Sequence, residues 1–203
     1  MTKIKFCGLK SLDDIYAVNE LFPEYVGFVF APKSKRFITP NQAEKFRNAL
    51  SKKILAVGVF VNAEISTVAE LLNNGIIDAA QLHGNEDDAY IKNLRGFTKK
   101  IIIRAFQIKT ADDIAAAEKS LADFVLADAG AGDGKTFDWQ LMKNFQREYF
   151  LAGGLNPENV GSAIELLQPF AVDVSSGIET DGHKDFDKMK IFTHAVRKVN
   201  FYD

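Results

Sequence analysis

The feature that most constrains this chain is a recurrence of short apolar runs. They begin at positions 4, 25, 54, 78, 100, 123, 149 and 171 and read IKFCG, YVGFVF, ILAVGVF, DAAQLH, KIIIRAF, DFVLAD, YFLAGG and AVDVSSG. Each is short, β-rich and nearly continuous in its apolar character, as strands buried on both faces are. Successive starts lie 21 to 29 residues apart, which leaves room each time for a loop and one amphipathic helix. Those helices can be read. SLDDIYAVNELF offers Ser11 as N-cap, acids in its first turn, and apolar residues at Leu12, Ile15, Tyr16, Val18 and Leu21. TPNQAEKFRNAL opens on Thr39 with Pro40 near the first helical position, and AEISTVAELLNNG stops at Asn74-Gly75. NEDDAYIKNLRG, TADDIAAAEKSL, FDWQLMKNF, NPENVGSAIELL and DFDKMKIFTHAVRKV supply the other five.

Eight evenly spaced βα units predict a (β/α)8 TIM barrel, one domain over residues 1–203. A doubly wound open sheet is the alternative, but the even spacing and a first strand not followed by G-x-G-x-x-G argue against it. Charge then limits the partners. Lys and Arg (25) nearly cancel Asp and Glu (27), so the net charge of −2 gives no general attraction to nucleic acid or an anionic membrane, and any anion must be caught locally. A single cysteine, Cys7, has no internal disulfide partner, which fits a reducing compartment. The segment MTKIKFCGLK carries charges where a secretory leader would be apolar, and no run approaches the about 20 apolar residues of a membrane span. A cytoplasmic protein with no membrane or nucleic-acid partner is expected. The sequence does not distinguish monomer from homodimer.

In a barrel the active site forms at the carboxyl ends of the strands and in the loops that follow. Cys7 ends the first strand and Asp128 the sixth, so a thiol and a carboxyl face one mouth as a base and acid pair. Nearby positive charge or a helix terminus can lower a thiol below its ordinary value of about 8.5 and make it readily alkylated. Gly153-Gly154 and Ser176-Gly177 follow strands seven and eight, where barrels often bind phosphate through backbone N–H groups. They point to a phosphorylated small molecule. Arg36, after strand two, reads either as a solvated loop charge or as a fork for a substrate carboxylate. His83, at the end of strand four, reads as a substrate contact or as a hydrogen-bonding group of the barrel mouth. His183 and His194 fall in a late loop and a late helix, so the three histidines form no strand-end metal cluster, and no metal or cofactor is expected.

Six segments in register, KFCGLK, KSKRF, QLHGNE, DAGAGDGKTFDW, LAGGLNPENV and DVSSGIETDGHKD, resemble the phosphoribosylanthranilate isomerase family of tryptophan biosynthesis. The resemblance runs from residue 3 to the last helix. It implies a (β/α)8 barrel that carries out an Amadori rearrangement without metal or organic cofactor. It further implies that Cys7 is the general base, Asp128 the general acid, Arg36 the partner of the anthranilate carboxylate, and the Gly153-Gly154 and Ser176-Gly177 loops the phosphate cradle. The chain departs from the family pattern at Phe6, Lys35 and Ala127, none of which carries a reacting group.

One stretch invites a different reading. Ala129 to Thr136, AGAGDGKT, is one glycine short of the P-loop pattern and follows an apolar strand. A P-loop would leave Cys7, Arg36 and the double glycines unexplained; in the barrel this is the loop after strand six, a glycine-rich lid over the substrate. Another phosphate-binding barrel isomerase, and a noncatalytic barrel that only binds a phosphorylated ligand, are the remaining alternatives. The barrel reading predicts isomerase turnover in excess EDTA, no ATP hydrolysis, and a Lys135→Ala variant far less impaired than Asp128→Asn. ATP-Mg2+ at 100 times a true dissociation constant would add about 2.7 kcal/mol of stability. A clear melting shift with ATP-Mg2+, together with loss of activity on chelation, would return the loop to nucleotide binding.

Overall fold

The computed structural model describes residues 1–128, 139–143 and 145–200. Eight parallel strands, β1 (Lys3–Cys7), β2 (Tyr25–Val29), β3 (Leu55–Phe60), β4 (Ala79–Leu82), β5 (Ile101–Gln107), β6 (Phe124–Asp128), β7 (Tyr149–Ala152) and β8 (Ala171–Val174), pair in chain order. β8 returns to β1 and closes the ring. Among the described residues seven α-helices surround it: α1 (Leu12–Leu21), α2 (Pro40–Ala49), α3 (Ile65–Asn73), α4 (Asp88–Arg95), α5 (Ala111–Lys119), α6 (Val160–Leu167) and α7 (Phe186–Asn200). The expected TIM barrel is the observed architecture.

The helix starts follow from local chemistry. Ser11 accepts from the backbone N–H of Asp14 while the Asp14 carboxylate returns to the N-cap N–H, a reciprocal capping box that satisfies two otherwise orphaned donors. Thr39 with Gln42 and Thr110 with Asp113 repeat the arrangement. The expected helix over FDWQLMKNF is not formed as such. Its described part is a 3₁₀ turn, Trp139–Met142, continued by an N–H of Phe145 donating to the Met142 carbonyl. Trp139, Met142 and Phe145 recur every third residue, and three residues per turn brings all three against the core. The loop 129–136, with its lid reading and Lys135, lies outside the described residues.

Strand alternation divides the interior into two layers. Val26, Phe28, Ala56, Phe60, Ala80, Ile102, Val125, Leu151 and Val172 point outward into the layer shared with the helices. Tyr25, Val57, Ala79, Ile103, Leu126, Phe150 and Ala171 point inward and fill the lower barrel, where Phe150 meets Tyr25 edge-on at 5.3 Å and Phe124 at 5.7 Å. The next inward positions on β4, β6 and β8 are Gln81, Asp128 and Asp173, and Cys7 ends β1 at the same level. The period of two that builds the apolar plug therefore also delivers polar groups to its top. No helix among the described residues is long and apolar enough to cross a membrane.

A small antiparallel hairpin, β9 (Glu179–Thr180) and β10 (His183–Lys184), follows β8 and was not anticipated from the sequence. Its turn is Asp181-Gly182, with φ of 51° and 76°, the two left-handed positions that Asp-Gly favours in tight hairpins. The packing of the lower barrel leads to a stability prediction. Phe150 is fully buried among three other rings, so Phe150→Ala should lower unfolding stability by about 3–5 kcal/mol. Chemical denaturation checks this, and a loss below about 1 kcal/mol would mean that the plug repacks around the cavity.

Candidate active site

A cavity of about 300 Å³ opens at the carboxyl ends of the strands. Cys7, Arg36, His83, Asp128, Gly153, Gly154 and Ser176 all line it, together with Gln81, Asp173 and Ser175. Seven of the eight residues picked out from the sequence thus share one wall system. Gly177 stands apart, set against the backbone of the loop after β7: a Cβ there would come within 2.0 Å of the Leu155 carbonyl oxygen. A substitution at Gly177 would act by displacing that loop.

Cys7 ends β1, three strands around the ring from Asp128 at the end of β6. Its partner in β2 register is Gly27, where any Cβ would lie 2.7 Å from the thiol sulfur, so a glycine is what makes room for it. One turn of alternation below Cys7 is Lys5, fully buried, whose ammonium donates to Asp173 Oδ2 at 2.9 Å. The second Asp173 oxygen, Oδ1, is buried without a hydrogen-bond partner. Burial disfavours the Lys5 charge, yet Asp173 and Cys7 outweigh it and hold the ammonium above its ordinary range.

The thiol itself departs from expectation. Burial pushes the Cys7 thiol up, the Lys5 charge pulls it down, Asp173 pushes it up again, and the balance is a rise. The readily alkylated, low-pKa thiolate expected from the sequence is therefore corrected. Cys7 is only partly exposed, and desolvation wins over the nearby ammonium. As a base it would be strong but sparsely ionised at neutral pH.

Arg36 is neither a solvated charge nor an empty fork. Its Nε and Nη2 donate to Glu179 Oε1 and Oε2, each at 2.7 Å, in a bidentate pair. Lys184 Nζ donates to the same Glu179 at 2.7 Å and to the Ser175 carbonyl at 3.0 Å, and Ser175 Oγ donates to the Cys7 carbonyl at 3.0 Å. The guanidinium stem crosses over Gly8, where a Cβ would sit 2.3 Å from Arg36 Cδ. Glu179 and Lys184 were not singled out in the sequence; the Asp181-Gly182 turn that pairs them was the available signal. Burial opposes the Glu179 charge, but hydrogen bonds from Arg36 and Lys184 hold its carboxyl at about 2.

Asp128 meets His83 Nε2 at 3.3 Å, and the other His83 nitrogen, Nδ1, lies 2.8 Å from Gln81 Nε2. On the far side, Gly153 and Gly154 have φ of 88° and 66°, a left-handed pair that turns backbone toward the cavity. Asn159 Nδ2 ties this turn down by donating to the Gly154 carbonyl at 2.9 Å. Among the described residues no group of three or more His, Cys, Asp or Glu side chains is placed to hold a metal ion.

A closed parallel barrel with a thiol, a carboxyl, an arginine and a glycine turn around one mouth defines a (β/α)8-barrel enzyme of small-molecule metabolism. The family model for N-(5'phosphoribosyl)anthranilate (PRA) isomerase matches residues 4–195. The chain belongs to that family. It is 46% identical over 194 residues to N-(5'-phosphoribosyl)anthranilate isomerase of Endomicrobium trichonymphae, covering 93% of this chain and 95% of that protein. It is 43% identical to the Thermoanaerobacter sp. (strain X514) enzyme, covering 98% of this chain and all of the relative. The crystal structure of phosphoribosyl anthranilate isomerase from Thermotoga maritima superposes with a TM-score of 0.89 at 37% identity, over 98% of this chain and 100% of that one. A phosphoribosyl anthranilate isomerase in complex with reduced 1-(o-carboxyphenylamino)-1-deoxyribulose 5-phosphate gives a TM-score of 0.87 at 37% identity, with the same coverage of both chains.

The Glu179 clamp yields a pH prediction. A folded-state value near 2, against about 4.3 for an ordinary glutamate, means its contribution to stability is complete above the ordinary value and fades as pH falls toward 2. Glu179→Gln should therefore be less stable than wild type at pH 7, with the gap narrowing between pH 4 and pH 3 in denaturant titrations. A gap that stays constant down to pH 3 would mean that the carboxylate charge contributes nothing.

Proposed function

We propose that this chain converts N-(5-phosphoribosyl)anthranilate to 1-(2-carboxyphenylamino)-1-deoxyribulose 5-phosphate, an aldose–ketose isomerisation of tryptophan biosynthesis, with Asp128 as general acid and Cys7 as general base. One observation carries the assignment of roles: the two groups project from β1 and β6 into the same cavity, between an arginine on one flank and a glycine turn on the other. The substrate has the matching layout, a carboxylated ring at one end, a phosphate at the other, and the reacting carbons between them.

The steps follow from that placement. Asp128 gives its proton to the furanose ring oxygen as the C1'–O bond breaks, and the nitrogen lone pair forms the C1'=N bond of a Schiff base. Cys7 as thiolate takes the C2' proton; the C2'–H electron pair forms C1'=C2' and the C=N pair returns to nitrogen. The enolamine then becomes the ketone as C1' gains a proton and the C2' hydroxyl loses one. No redox partner is required, because the carbon oxidised at C2' balances the one reduced at C1'. Each positioned proton transfer contributes on the order of 10²- to 10⁴-fold.

At the ends of the substrate, the N–H groups around Gly153, Gly154 and Ser176 would receive the phosphate. Arg36 would meet the carboxylate with its outer edge, since its Nε and one Nη2 bond are committed to Glu179. Gly177 supports this loop from behind. We place the reaction in the cytoplasm, a setting that suits a single cysteine left as a thiol.

The test is loss of the fluorescence of phosphoribosylanthranilate, generated in place from anthranilate. Wild type should turn over, while Cys7→Ser and Asp128→Asn should each lower kcat by at least about 10²-fold with substrate still bound. Because the thiol is raised, kcat/KM should climb with pH and still be rising at pH 8.5, and alkylation of Cys7 by iodoacetamide should be slow at pH 7 and accelerate along the same curve. A Cys7→Ser enzyme with wild-type kcat, or a profile flat from pH 6 to 9, would remove Cys7 from the base role.

A further inference from the structure

One buried titratable pair takes no part in the proton transfers. Lys5 lies on β1 two residues before Cys7, and side-chain alternation puts both on the inward face of that strand. Lys5 is 0% exposed, and its ammonium donates to Asp173 Oδ2 at 2.9 Å, the two residues being direct partners in the register of β1 with β8. Asp173 is 8% exposed and keeps Oδ1 buried without a hydrogen-bond partner. Taking two charges out of water is costly, and a buried pair can often be replaced by apolar side chains with no loss of stability. The barrel filling below is built of such side chains, among them Tyr25, Val57, Ile103, Leu126 and Phe150. Stability alone gives little reason to keep a lysine directly beneath the thiol.

Ionisation of Cys7 adds a second negative charge to the one on Asp173, in a place where desolvation already opposes it. The other charged groups around the thiol are few. Gly27, its partner on β2, brings none. Lys184 from β10 and Arg36 from the segment after β2 are both bound to Glu179 at 2.7 Å, and His83 and Asp128 line the same cavity from β4 and β6. Lys5 favours the thiolate more than Lys184 does, and more than Asp173 opposes it. We propose that Lys5 is a positioning residue for the base: its buried ammonium, anchored by Asp173, is the counter-ion of the Cys7 thiolate. When the thiol proton leaves to solvent, Lys5 keeps all three of its own, and the new charge forms beside an ammonium already in place. The inference rests on the proposed function for what the thiolate does, though not for whether it forms.

The two halves of the pair make opposite demands on the thiol. Alkylation by iodoacetamide, followed from about pH 7 to about pH 11, reads the thiolate without any turnover. Lys5→Met should carry the midpoint of that profile upward by about one unit or more, the shift expected on losing a single nearby opposite charge, so that alkylation at about pH 8 slows roughly tenfold. Asp173→Asn removes the charge that opposes the thiolate and should carry the midpoint downward. A pair that only holds the strands together would weaken the fold in both variants and leave both midpoints where they are. In the fluorescence assay kcat/KM of Lys5→Met should fall at least about tenfold below wild type near neutral pH and approach it as pH rises, with KM changed less than about threefold.

A folded Lys5→Met protein with an unmoved midpoint, or two variants that shift the thiol the same way, would show that the counter-ion role is wrong. If Lys5→Met does not fold, Asp173→Asn decides, since a midpoint that rises or stays in place overturns the proposal. If neither folds, NMR on wild-type protein carrying ¹³C-labelled lysine decides: Lys5 should give the ammonium signal at about pH 8, and a neutral amine there would leave the thiolate without its partner. A wild-type protein with no isomerase activity would overturn the proposed function instead, and the alkylation profiles would still settle the part played by Lys5.

Discussion

Closure of the ring between β1 and β8 is the constraint on which the remaining structure depends. Lys3, Ile4, Lys5 and Phe6 pair in register with Ala171, Val172, Asp173 and Val174. Because side chains alternate, that register alone decides that Ile4, Phe6, Val172 and Val174 enter the helix layer while Lys5, Cys7 and Asp173 enter the barrel. A slip of one residue would exchange the two sets and drive a lysine into the apolar layer. The Lys5–Asp173 ion pair enforces the alignment from inside, since removing one partner of a buried pair typically costs about 3–5 kcal/mol. The same pair brings a positive charge next to the thiol. Closing the fold and placing a charge beside the thiol are therefore one arrangement.

A second set of contacts links the loops that stand on the ring. Arg36 comes from the segment after β2, Glu179 and Lys184 from the hairpin after β8, and Ser175 joins that hairpin to the end of β1. The planar guanidinium and the carboxylate match in two bonds, so the orientation of Arg36 is set by the protein itself. Preorganisation of this kind lowers the ordering cost of binding an anion. It also explains why the hairpin is so short: two paired residues on each strand suffice to bring Glu179 and Lys184 side by side.

The strands were legible in the sequence because fully buried parallel strands leave continuous apolar runs, and the spacing of those runs specified the barrel. Helix starts were legible where a local side chain closes the cap, as at Ser11 and Thr39. The sixth helix was misread because Trp139, Met142 and Phe145 sit at a spacing that a 3₁₀ turn satisfies better than an α-helix. Residues that end strands could be placed at the mouth by topology alone, which covers Cys7, His83 and Asp128. Glu179 and Lys5 could not, because their meaning lies in partners 143 and 168 residues away. Lysine is almost never fully buried unless paired, and the pairing is a tertiary fact. The direction of the Cys7 shift was likewise hidden, since it is the difference between desolvation and a charge, and composition reports neither.

Two acceptors buried without a protein partner, Gln81 Oε1 and Asp173 Oδ1, belong to side chains that line the same cavity. A core selected for stability alone would replace them, as each unsatisfied group lowers stability by about 1–3 kcal/mol. Their shared location gives that deficit a direction. Neither oxygen is accessible from the cavity; the cost falls on side chains whose other polar atom is committed, Gln81 Nε2 facing His83 and Asp173 Oδ2 holding Lys5 beneath the thiol.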